Sequence, residues 1–192
     1  LKLDALDILY QNSLTFHDIY FKGELKKRSI AFKKELSQRN SQFKEDELLI
    51  MESDYEMATS DSLTILSNFI IVASYSYFEK ALKDVMQSSG QFKESEIKNC
   101  GKKDGFLKVY KHEKYIKDIE ERPDYIKINE LRILNNEIKH NGIVGIELHN
   151  SNPKWILKEH INNTYEDFLR LKDGVCDLLS EIISKTLSNI EN

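Results

Sequence analysis

From Leu63 to Val85 the chain keeps Leu63, Leu66, Ile70, Ala73, Tyr77, Ala81 and Val85 at three- and four-residue steps, one apolar stripe along about six turns of α-helix. Ser88-Ser89-Gly90 closes the stretch, with glycine where a left-handed residue ends a helix. So long a helix takes up much of a 192-residue chain that has only seven Gly and two Pro. With so few breaks the many-turned sandwiches and barrels are excluded, and the length fits one domain whose core needs neither disulfides nor metal.

Lys and Arg number 28 against 32 Asp and Glu, a formal net charge of −4. That balance argues against coating nucleic acid by bulk charge and leaves room for a local basic patch. Cys100 and Cys176 lack the spacing of a zinc site, which predicts two incidental thiols in a reducing cytoplasm. The longest apolar run, around Phe69-Ile70-Ile71-Val72-Ala73, is interrupted by Ser74, Ser76, Glu79 and Lys80, short of the roughly 18 residues a membrane span needs. The chain begins at Leu1 rather than Met, and Lys2 and Asp4 stand where a secretory signal has its apolar core. A soluble, cytoplasmic protein is expected.

Other elements follow from the same signals. Leu3 to about Gln38 reads as helix on Leu6, Leu9 or Tyr10, Phe16, Ile19 or Tyr20, Leu25, Phe32 and Leu36, with a break expected near Gly23. Ser41 to Asp46 is polar and predicts a turn. Gln91 to Arg122 carries two short helical patterns, one with Phe106, Val109 and Tyr110. Pro123 suits the first turn of a further helix, whose buried face is read as Ile128, Leu131, Leu134 and Ile138 and whose stop is Gly142. Ile143 to Leu148 is β-prone and predicts a strand-like excursion. Thr164 with Asp167 resembles a capping box, and Phe168, Leu171, Val175, Leu178, Ile182 and Leu187 mark the last helix.

The chemically informative piece is Leu131 to Gly142. At about 100° per residue the apolar side chains fall on one side, and Arg132, Asn135, Asn136, Lys139 and His140 on the other. Arg132, Asn136 and His140 follow one ridge at four-residue steps, so a guanidinium, an amide and an imidazole line up where the helix stops. Helix-end carbonyls favour the imidazolium and the nearby cations oppose it, which suits His140 to proton transfer at a phosphodiester, with cation and amide holding phosphate oxygens. The plainer reading is that His140 caps the last carbonyls. Lys22, Lys26, Lys27, Arg28, Lys33 and Lys34 form one basic stretch. Lys98, Lys102, Lys103, Lys108, Lys111 and Lys114 form another, with Phe106 and Tyr110 between them, and either could meet RNA or be a solvated face. His17, His112, His149 and His160 show no metal-ligand spacing. Phe69, Tyr77 and Phe78 read as core, and no phosphate-binding glycine loop or nucleophile elbow is present.

The helix Ile70-Ile71-Val72-Ala73-Ser74-Tyr75-Ser76-Tyr77-Phe78-Glu79-Lys80-Ala81-Leu82, followed by Leu131-Arg132 and Asn136 through His140-Asn141-Gly142, resembles the HEPN superfamily, and within it the RiboL-PSP type. The resemblance covers roughly Leu63 to the C-terminus. It implies an up-and-down helical bundle that dimerises, with Arg-Asn-xxx-His motifs facing each other across the interface. In active members these motifs make a metal-independent endoribonuclease, often the toxin of a toxin–antitoxin or anti-phage system. Position by position, the family's His matches His140 and its Asn matches Asn136, while its Arg falls on Asn135. Arg132 is the nearest guanidinium, about 12 Å up the helix from His140.

These readings predict an all-α bundle of about five to seven helices, with residues 1–50 as an N-terminal arm and 63–192 as the HEPN-like core. The residues and the resemblance together assign His140, Asn136 and Arg132 to catalysis and Lys139, Asn135 and Asn141 to substrate binding, with no metal or cofactor expected. RNA, a second copy and an antitoxin or defence partner are the expected partners. The alternative is an inactive HEPN module for dimerisation, RNA binding or partner binding.

Overall fold

The computed structural model describes residues 2–38, 44–111 and 116–188, and among them the fold is all-α. Its elements are α1 (Lys2–Gln38), α2 (Lys44–Ser89), α3 (Glu94–Asn99), α4 (Lys103–Tyr110), a 3₁₀ turn (Ile119–Glu121), α5 (Pro123–His140), α6 (Ile146–Ser151) and α7 (Tyr165–Ser188). They divide into two compact units, Leu1–Ser67 and Asn68–Asn192, with the boundary inside α2. Helix α1 runs unbroken through Gly23, and Lys44 to Asp46, expected in a turn, already belong to α2. Ser41 to Phe43, His112 and Lys114 lie outside the described residues, as do the side chains of Phe16, His17, Tyr20, Lys22, Leu25 and Leu36.

The first unit pairs α1 with the first half of α2 around a cleft lined by Arg28 and Phe32 on one side and Ile50, Met51, Asp54 and Tyr55 on the other. Ile8, Ile19, Ile30, Leu49, Ile50, Met57 and Ile65 of this unit are exposed.

In the second unit the buried face of α2 is Ile70, Ile71, Ser74, Tyr75, Phe78, Leu82 and Met86. This face is turned by about one residue, roughly 100°, from the stripe read in the sequence. Of that stripe only Ile70 is buried, Ala73, Tyr77, Ala81 and Val85 are half-buried, and Phe69, expected in the core, is 54% exposed. The reason is local. Ser74 lies inside the core with its hydroxyl donating to the Ile70 carbonyl at 2.6 Å, so a polar residue occupies a buried position at little cost. The larger Tyr75, Phe78 and Met86 then fill the interior in place of two alanines. Phe78 meets Phe106 of α4 at 6.3 Å between ring centres, and Phe106 stacks on Tyr125 of α5 at 5.7 Å. Phe106 and Tyr110 are therefore core residues and offer bases no stacking platform. Helix α2 also holds a window of mean hydropathy 1.2, long and apolar enough by length and composition to cross a membrane, and 22% of it is buried.

Helix α5 packs along α7. Gly174 makes the close approach, since a Cβ there would come within 2.8 Å of the Lys127 Cβ. Phe168, Leu171, Val175, Leu178 and Ile182 of α7 are buried as expected, while Leu187 is exposed. Pro123 opens α5, and Gly142 follows it with φ of +63°. Beyond it Ile143 pairs antiparallel with His160, which is the extent of the strand-like excursion, because Ile146 to Leu148 are helical in α6. Thr164 precedes α7 and donates its hydroxyl to Asn68 of α2.

Between α5, α7 and the 152–155 loop lies a buried ionic cluster. Glu130, 3% exposed, receives both arms of Arg170 at 2.6 and 2.9 Å and the indole N–H of Trp155 at 2.8 Å. Asp167, also buried, takes a second bond from Arg170 at 2.9 Å and one from Lys154. Burial pushes the Glu130 carboxyl up, but the bonds from Arg170 and Trp155 and the Arg170 charge outweigh it and hold the group below its ordinary 4.5. A carboxyl depressed in the folded state stabilises the fold above the unfolded value, and that contribution is lost as pH falls through the folded value. Glu130→Gln is therefore expected to cost about 3 kcal/mol at pH 7 and to flatten the loss of stability below pH 4.5. Urea unfolding across pH, followed by the emission of the single tryptophan, checks both.

Candidate functional site

The C-terminal half of α5 and its C-cap Asn141 carry every residue assigned to the site, and the structure splits them into two groups. Asn136, Lys139, His140 and Asn141 are exposed. Asn135 is 2% exposed, and Arg132 keeps 13% of its side chain accessible.

The helix end explains the exposed group. The Glu137 carbonyl accepts the backbone N–H of Asn141 at 2.9 Å and of Gly142 at 2.8 Å, a backbone closure that the left-handed Gly142 makes possible. The imidazole is not needed as a cap: the His140 ring makes no hydrogen bond or ion pair among the described residues. Asn136 precedes it by one turn, about 6 Å along the axis, and Lys139 adjoins it in sequence. An acid/base group, a cation and an amide thus share one accessible helix end.

The other two residues depart from the sequence expectation. Asn135, placed on the polar face by helical projection, is in the interior. Its amide N–H donates to the Asn136 Oδ1 at 3.2 Å, and its own Oδ1 is buried with no hydrogen-bond partner. From the interior its N–H thus holds the Asn136 side chain. Arg132 leaves the ridge: its Nη2 bonds Glu147 of α6 at 2.7 Å and its Nε bonds Asn129 at 3.1 Å. Its charge is thus engaged by a carboxylate about 12 Å from the His140 level.

Sequence reasoning passed over Glu147, Glu130 and Arg170, whose partners are 15 and 40 residues distant and leave no periodic signal. Near Arg132, Tyr75 donates to the Gly101 carbonyl, and burial drives its phenol well above the usual tyrosine range, with Glu79 adding to the rise and Arg132 opposing it. Cys100 is buried and Cys176 half-exposed, neither of them in a disulfide, and burial raises the Cys100 thiol. His149 Nδ1 meets the Trp155 carbonyl at 2.7 Å. Among the described residues no group of three or more His, Cys, Asp or Glu side chains is placed to hold a metal ion.

Because Asn135 sits in the interior, Asn135→Asp is expected to lower stability by more than about 2 kcal/mol at pH 7, whereas Asn135→Leu changes it by less than about 1.5 kcal/mol. Equal melting of the two variants would show an amide open to water.

No family model, curated protein or solved structure matches this chain.

Proposed function

We propose that this chain is an RNA-directed protein of HEPN type, acting in the cytoplasm as a homodimer within a bacterial toxin–antitoxin or anti-phage defence system. The observation that carries the reading is the unpartnered, exposed His140 at the end of α5, with Asn136 one turn before it and Lys139 beside it. In this reading His140 moves the proton during cleavage of a phosphodiester, Lys139 neutralises the phosphate, and Asn136, steadied by Asn135, orients it. The reaction is metal-independent.

A second reading, a non-cleaving HEPN module that binds RNA or a partner protein, is favoured by one observation. The guanidinium nearest the site is bound to Glu147, and the position matching the family's Arg is the buried Asn135. A lone lysine lacks the planar, two-pronged phosphate contact of arginine.

Incubation of purified protein with mixed RNA in EDTA, wild type against His140→Ala, separates the two. Cleavage in chelator that falls at least about 100-fold in the variant is expected of the nuclease. RNA that is bound and left intact by both proteins supports the binding module, and RNA neither bound nor cut contradicts the RNA-directed reading.

A further inference from the structure

A small cavity of about 20 Å³ lies between α2, α4 and α5, room for about one water. Its lining is of more interest than its volume. Arg132 and Asn129 of α5 contribute to it together with Lys102 and Lys103 at the start of α4. The insert's basic stretch and the arginine of the α5 ridge, some 30 residues apart in sequence, thus line the same cavity. Lys102 and Lys103 are exposed, and neither ammonium has a hydrogen-bond or ion-pair partner among the described residues. Of the five N–H donors of the Arg132 guanidinium, one meets Asn129 and one meets Glu147. The Glu147 side chain is 56% exposed and the Arg132 side chain 13%, so water, or another oxyanion, reaches the pair from the Glu147 side. Glu79, the other carboxylate close by, approaches Gly101 and is held by Lys83 at 2.5 Å.

We propose that Lys102, Lys103 and Arg132 form a phosphate subsite for the RNA backbone, and that Glu147 occupies the Arg132 guanidinium until RNA displaces it. The inference rests on the RNA-directed reading and extends it. Carboxylate and phosphate present similar paired oxygens to a guanidinium, so an intramolecular carboxylate is a natural stand-in for the ligand. Because Arg132 stands about 12 Å from the level of His140, the subsite takes a phosphate other than the one at the imidazole. It fixes the strand and leaves proton transfer to His140.

Anisotropy titrations of the full chain with a labelled single-stranded RNA, between about 50 and 200 mM salt, read the subsite. Every variant carries His140→Ala so that RNA is not consumed. Adding Lys102→Ala and Lys103→Ala is expected to weaken binding and to flatten the log–log salt dependence by about 0.7 for each phosphate no longer neutralised, and adding Glu147→Gln to tighten binding about two- to five-fold. RNA binding whose affinity and salt slope are unchanged by both additions overturns the subsite and leaves the RNA-directed reading standing. Absence of RNA binding by the wild type and His140→Ala proteins overturns both.

Discussion

Glu130 is a carboxylate with almost no water around it, and the second unit is arranged so that it need not have any. Arg170 supplies two parallel bonds from α7, Trp155 a third from the loop behind α6, and Asn152 reaches both oxygens at 3.3 Å. A charge buried this deeply is tolerated only when every lone pair has a donor. The requirement fixes α5 against α7 and draws the 152–155 loop onto the same point. Asp167 and Lys154 extend the network, with the Lys154 ammonium 4.4 Å from the centre of the Trp155 ring. Gly174 supplies the second condition by letting the two helices come close.

With α5 held in this way, its last turns have a defined outward side. The same helix buries Tyr125, Ile128, Leu131, Ile133 and Leu134 and presents Asn136, Lys139 and His140. Asn135 joins the two sides: buried itself, it spends its N–H on the exposed Asn136. Arg132 stands at the other limit of this surface, turned toward Glu147 of α6. The polar face divides into a histidine end and an arginine end, held apart by the helix itself.

Helix ends were legible in the sequence because their chemistry is local. Gly90 and Gly142 take positive φ and Pro123 opens α5, as their residue types favour. The all-α class followed from the scarcity of such breaks. Which side of a helix faces inward was less legible, since it depends on what packs there. Ser74 satisfies its hydroxyl within its own helix, so the buried arc of α2 carries a polar residue that periodicity discounts. Phe106 and Tyr110, interleaved with lysines, have the spacing of a stacking surface and the surroundings of a core. The same limit applies to the site. The exposure of His140, Lys139 and Asn136 is a local consequence of the helix end, whereas the burial of Asn135 and the diversion of Arg132 to Glu147 depend on elements that the spacing of α5 does not encode.

In the proposed function, RNA lies across the α5 face, from the histidine end to the arginine end. Photo-crosslinking of the full chain to single-stranded RNA, with adducts located by peptide mass spectrometry, tests it most directly. Adducts in residues 136–141 and at Lys102 or Lys103 within the same complex are expected. Adducts confined to the basic stretch of α1 around Lys26 to Lys34, with none on α5 or α4, would contradict it.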